Sequence, residues 1–157
     1  MAFKLFSYPL VIKETYLDTF GHVNNAAYLT ILEEARWDLI TQNGYGLTKI
    51  QETGLGPTIL EIKLSFLKEL CLREKAVIET QMISYEKKIG KLSQKIVRGS
   101  DICCVAELVI GLFNMHERKL VMPTPELVVC RWHSIFPIKK IHSTLFSNSL
   151  FYAKIKE

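Results

Sequence analysis

The chain has 157 residues, 48% of them hydrophobic and 23% charged. That length and balance fit one folded domain and argue against disorder, collagen and coiled coil. The net charge of +4 is too small to argue for nucleic acid.

The charge is unevenly placed. Trp132–Glu157 supplies +3 of it, through Lys139, Lys140, Lys154 and Lys156 against Glu157 alone. Residues 1–131 are close to neutral. The N-terminal stretch is broken by Lys4 and Pro9 and lacks the apolar region of a secretory signal. No run reaches the ~18 apolar residues of a membrane span. Cys71, Cys103, Cys104 and Cys130 fit no zinc spacing, and they read as small buried hydrophobes in a reducing cytosol.

In chain order, residues 8–16 read as a strand with Tyr8, Leu10 and Ile12 on one face. A turn-like passage, Asp18-Thr-Phe-Gly-His-Val-Asn-Asn25, leads into a helix over 26–42. Asn24 or Asn25 supplies its N-cap, because an Asn side-chain oxygen accepts from a first-turn amide. Gly44 stands where a C-terminal cap belongs. Tyr28, Ile31, Leu32, Ala35 and Leu39 form an apolar stripe, and Leu29, Trp37 and Ile40 widen it. So broad a surface predicts burial on most sides.

Gly44, Gly46, Gly54, Gly56 and Pro57 mark a connection. Four strands are then expected, at about 58–67, 75–84, 91–98 and 103–114. Residues 120–131, with Pro123 and Pro125, suit a strand ending or a linker. The order of strand, long helix and antiparallel meander is α+β: one helix wrapped by a curved sheet.

The chemistry concentrates in residues 16–36. Asp18 precedes a turn made possible by Gly21, and the turn delivers the chain to a helix N-terminus. Free amides there carry partial positive charge and can polarise a carbonyl. A carboxylate beside them can act as nucleophile or as general base toward water. A Gly-x-Ser-x-Gly elbow, a dinucleotide fingerprint and a Walker loop are all missing from the sequence.

This passage resembles the hotdog-fold acyl-CoA thioesterases of the 4-hydroxybenzoyl-CoA thioesterase type, whose motif runs Asp-x-x-Gly-His-Val-Asn-Asn-x-x-Tyr. Asp18, Gly21, His22, Val23, Asn24, Asn25 and Tyr28 match it in order, and Glu33-Glu-Ala-Arg36 matches the helix that follows. Phe66-Leu-Lys-Glu-Leu70, Ile89-Gly-Lys-Leu-Ser93, Cys104-Val-Ala-Glu107 and Lys119-Leu-Val-Met-Pro123 resemble later family passages. The resemblance covers about residues 8–131. It implies a single hotdog domain over 1–131, with 132–157 as an extension of unassigned role.

It also implies acyl-CoA hydrolysis to free acid and CoA. Asp18 then takes the catalytic carboxylate's place, the Asn25 backbone amide contacts the thioester oxygen, Gly21 makes the close turn, and His22 and Asn24 are second choices. Lys87, Lys88, Lys91 and Ser93 form the candidate region for the CoA end of the substrate. No cofactor and no metal are expected, CoA being part of the substrate. Acyl carrier protein is an alternative donor. The implied assembly is a homodimer or homotetramer with acyl pockets at subunit interfaces, shaped in part by Tyr28, Trp37 and the 44–57 connection, and the implied location is cytoplasmic. Tyr16 stands where many members carry a second acidic residue, and Glu69 where many carry Pro. Glu33 and Glu34 read as solvated carboxylates. The rival readings are a non-catalytic acyl-thioester binding module and, ranked last, a hydroxyacyl-thioester dehydratase.

Overall fold

The computed structural model describes residues 3–124. The elements in chain order are β1 (Leu5–Val11), a short 3-10 turn (Glu14–Tyr16), α1 (Asn25–Gln42), α2 (Leu47–Thr53), β2 (Leu55–Phe66), β3 (Lys75–Glu86), β4 (Ile89–Arg98), β5 (Asp101–Asn114) and β6 (Lys119–Val121). The strands form an antiparallel sheet in the order β1-β3-β4-β5-β2, with β6 paired to β5.

This order dictates where α1 goes. β3, β4 and β5 are joined as consecutive hairpins and fill the centre, whereas β1 pairs with β3 on one side and β2 pairs with β5 on the other. The segment joining β1 to β2 must therefore cross the sheet. An 18-residue helix spans about 27 Å, and five strands at ~4.8 Å spacing span about 19 Å. α1 is long enough to make the crossing, and it packs on one face of the sheet.

Packing follows the two periodicities. Tyr28, Ile31, Leu32, Ala35 and Leu39 are buried on the inner face of α1. They meet Ala76, Ile78 and Met82 of β3, Leu92 and Ile96 of β4, and Ala106 and Leu108 of β5 in one core cluster. The expected α+β architecture of a helix on an antiparallel sheet is present. Burial of the helix on most sides is not: Leu29 is 41% and Trp37 39% exposed. A sheet on one side of a helix covers one face only, and Glu33 and Glu34 lie exposed on the rest.

Three further expectations shift. The first strand ends at Val11 rather than Tyr16, because Tyr16 turns inward to burial within the 3-10 turn. The connection at 44–57 contains α2, whose Ile50 is buried and whose C-terminus is closed by Gly54 in the left-handed region at φ 68°. Cys103 and Cys104 are both fully buried, but Cys71 is only partly so. Residues 125–157, which include Cys130 and the basic extension at 132–157, lie outside the described residues. Among those described, no helix is long and apolar enough to cross a membrane.

One polar group sits inside the core. Gln94 of β4 has no exposed surface. Its Nε2 donates to the Leu32 carbonyl at 3.1 Å and to Thr80 Oγ1 at 3.0 Å, and its Oε1 accepts from the Arg36 guanidinium at 2.7 Å. Burial lowers the Arg36 pKa, and the nearby Glu33 charge opposes that shift. The network ties α1 to β3 and β4 at one register. Gln94→Met conserves the side-chain volume while stripping these bonds. It is expected to lower the unfolding free energy by about 1–3 kcal/mol, as read from urea denaturation.

Candidate active site

The site begins as a tightly closed loop. The Asp18 N–H donates to the His22 carbonyl at 2.8 Å, and the Gly21 N–H to the Asp18 carbonyl at 3.1 Å. Asp18 Oδ1 accepts from the amides of Phe20 at 2.8 Å and His22 at 3.3 Å, the Asx arrangement that favours aspartate in turns. Gly21 sits at φ 80°, a region costly for any residue with a Cβ. The Val23 N–H then donates to the Leu70 carbonyl at 2.9 Å, and His22 pairs with Cys71 in an antiparallel bridge. These bonds clamp the loop to the segment that precedes β3.

The helix start follows directly. Asn24 is the N-cap, its side chain accepting from the Ala26 amide at 2.8 Å. The amides of Ala27 and Tyr28 donate to the Asn24 carbonyl, and the Asn24 amide donates to the Tyr16 carbonyl. A helix leaves its first amides without intrahelical partners. Here the cap and the neighbouring turn satisfy all but one of them. The Asn25 N–H is left without an acceptor among the described residues.

Asp18, His22 and Asn25 line one cleft of about 480 Å³. Val23, Tyr28, Phe66 and Leu67 give it an apolar wall, and Lys68 and Glu69 stand at its charged side. The Tyr28 and Phe66 rings meet edge to face at 5.0 Å. Burial, with the Cys104 and Cys103 thiols beside it, pushes the Tyr28 phenol up to about 12, so it stays neutral at any working pH. Asp18 Oδ1 is committed to the turn, whose bonds do not use Oδ2.

The far side of the cleft is held by ion pairs. Arg98 donates to both oxygens of Glu74 at 2.8 and 2.7 Å and to the Glu69 carbonyl at 3.1 Å. Glu74 Oε2 also accepts from the Cys71 amide at 2.8 Å. That amide, and then Arg98, hold the Glu74 carboxyl below the usual carboxylate range. Lys68 pairs with Asp101 at 2.6 Å.

Of the residues expected at the site, Asp18, His22 and Asn25 line the cleft itself, Gly21 shapes its loop, and Asn24 caps its helix. Lys87 and Lys88 sit at the β3–β4 turn, and Lys91 and Ser93 lie along β4. The other end of β4, at Arg98, meets the Glu69 carbonyl beside the cleft, so the turn is about 30 Å away at ~3.3 Å per residue. Trp37 and residues 44–57 do not line this cleft, whereas Tyr28 does. Sequence reasoning missed Lys68 and Glu69 as site residues, although Phe66–Leu70 carried a signal as one of the family-like passages. It also missed that His22, Glu69 and Cys71 converge. Their donor atoms lie within 4.8 Å of one another, and they form the metal-competent group among the described residues.

Comparison with known proteins agrees with this picture. Residues 13–131 match the thioesterase-like superfamily. The long-chain acyl-CoA thioesterase FadM of Escherichia coli is 30% identical over 99 residues, which span 63% of this chain and 74% of FadM. A Staphylococcus aureus protein solved in complex with CoA superposes with a TM-score of 0.77 at 17% identity, over 91% of this chain and 98% of that one. A 1,4-dihydroxy-2-naphthoyl-CoA thioesterase from Synechocystis gives 0.76 at 13% identity, over 85% of this chain and all of its own. The chain belongs to the thioesterase-like superfamily, with the hotdog fold. Membership supports thioester hydrolysis as its activity.

The loop geometry can be tested without substrate. A Cβ on Gly21 would have open space within 4 Å, so Gly21→Ala meets backbone strain and no clash. It is expected to cost about 1–2 kcal/mol in equilibrium unfolding.

Proposed function

We propose that the chain hydrolyses acyl-CoA thioesters to a free acid and CoA in this cleft. One observation carries the reading: Asp18 and Asn25, whose amide has no acceptor among the described residues, line the same cleft. A thioester carbonyl placed against the Asn25 N–H is polarised by that donor and by the helix terminus behind it. Asp18 Oδ2 then attacks the carbonyl carbon to give a mixed anhydride, or removes a proton from an attacking water. Either course expels the CoA thiolate, and water supplies the second oxygen of the acid. Tyr28, Phe66 and Leu67 offer apolar surface to the acyl chain, which suits a long-chain acyl-CoA such as FadM is named for.

Lys87, Lys88 and Lys91, with Ser93, are proposed to meet the CoA end of the substrate. In one chain they lie far from Asp18, so this assignment calls for a second copy that brings its β4 to the cleft. A homodimer, or a tetramer built from it, is proposed accordingly. A cytoplasmic location is proposed with it, since Cys103 and Cys104 pack as small buried hydrophobes in the core.

Asp18→Asn keeps an oxygen for the Phe20 and His22 amides, and so keeps the turn, but removes the anionic group. It is expected to reduce kcat/KM on a panel of acyl-CoAs by about 10²-fold or more, with released thiol as the readout. Unchanged hydrolysis would remove Asp18 from the mechanism, and tight acyl-CoA binding without turnover in the wild type would favour a binding module. Lys88→Ala and Lys91→Ala are each expected to raise KM about 2–5-fold with little change in kcat, as suits modest charge contacts near the surface.

A further inference from the structure

The convergence of His22, Glu69 and Cys71 plays no part in the proposed hydrolysis. It is built by the backbone. His22 and Cys71 face each other across an antiparallel bridge, locked by the bond from the Val23 amide to Leu70. Glu69 and Cys71 are two residues apart on the same segment, a spacing that puts side chains of extended chain on one side. His22 Nε2 lies 3.3 Å from Glu69 Oε2, and Cys71 Sγ lies within 4.8 Å of both.

A tetrahedral ion with Zn–N and Zn–O near ~2.1 Å and Zn–S near ~2.3 Å holds its ligand atoms about 3.4–3.7 Å apart. The three donor atoms already lie within 4.8 Å of one another on incompletely buried side chains, close to that geometry. An imidazole, a carboxylate and a thiolate together suit a borderline-soft cation and not calcium or magnesium. Neighbouring positive charge does not oppose it strongly. Arg98 is already held by Glu74, and Lys68 by Asp101.

We propose that His22, Glu69 and Cys71 bind a divalent cation of the zinc class, leaving its fourth position open to the cleft. The ion takes the place of the His22–Glu69 contact. It sits against the Asp18 loop, because the His22 amide donates to Asp18 Oδ1. Occupancy therefore crowds the position of the thioester, and zinc acts as an inhibitor. That consequence rests on the thioesterase reading; the binding itself does not.

The test uses the full chain titrated with Co2+ in place of zinc. Wild type is expected to develop a thiolate-to-cobalt charge-transfer band with the d–d bands of a tetrahedral site, and Zn2+ is expected to bleach both. Cys71→Ser should abolish the charge-transfer band, and Cys130→Ser should retain it. No such band in wild type, or its survival in Cys71→Ser, overturns the site. Glu69→Gln alters an exposed side chain and keeps the test open if Cys71→Ser fails to fold. Its Co2+ affinity should fall on the order of tenfold or more, since even outer-shell losses at metal sites cost 10–100-fold; an unchanged affinity counts against the site. Zn2+ is expected to slow hydrolysis by wild type and not by Cys71→Ser. Equal inhibition of both overturns the inhibitory role, while the cobalt spectrum reports binding whether or not the chain is a thioesterase.

Discussion

The bond from the Val23 amide to the Leu70 carbonyl joins two segments far apart in the chain, and the site depends on it. Without it, the loop carrying Asp18 would be anchored through its own turn, the helix cap and the exposed His22–Glu69 contact. With it, the loop is fixed to the segment 68–74, and that segment is fixed to the sheet by Arg98 and Lys68. The position of Asp18 relative to Asn25 is thereby referred to the β4–β5 hairpin. A site held through backbone bonds to rigid strands keeps its geometry better than one resting on a free loop.

A second tie acts further along the helix. Gln94 reaches from the middle of the sheet to the Leu32 carbonyl and the Arg36 side chain. Apolar contacts between a helix and a sheet tolerate sliding, because one aliphatic surface resembles the next. Three directional bonds to a fully buried amide do not, since any shift strands a polar group in a dry interior. α1 is therefore pinned at its start by the cap and near its middle by Gln94.

The sequence made part of this legible and hid the rest for physical reasons. The helix over 26–42 and the meander could be read because their periods, 3.6 and 2, are long and regular. Asp18, Gly21 and Asn25 could be read because turn and cap chemistry are local. α2 could not: its seven residues lie between glycines and bury only Ile50. The exposed outer face of α1 was also hidden, because an apolar count around a helix does not say how many sides have a partner. Lys68, Glu69 and the His22–Cys71 pairing depend on a bridge between segments distant in the chain, and no linear spacing encodes that. Gln94 is satisfied by Leu32, Arg36 and Thr80, which lie on other elements and which only the fold brings to it.

The cap also explains how a carboxylate and a free amide can coexist so close together. An aspartate just ahead of a helix is itself a strong N-cap, and had Asp18 taken that role it would have satisfied the very donors a substrate needs. The turn prevents this. Its Oδ1 is occupied by the amides of Phe20 and His22, and the cap is supplied by the neutral side chain of Asn24, which takes the Ala26 amide and leaves that of Asn25. A neutral cap also leaves the helix terminus less screened than an ionised one would. Two adjacent asparagines thus divide the work: the first completes the helix, and the second holds the donor that remains. On this account the Asn24 side chain acts on hydrolysis only by deciding which amide stays open, and an aspartate at that position would weaken the polarising field while stabilising the helix.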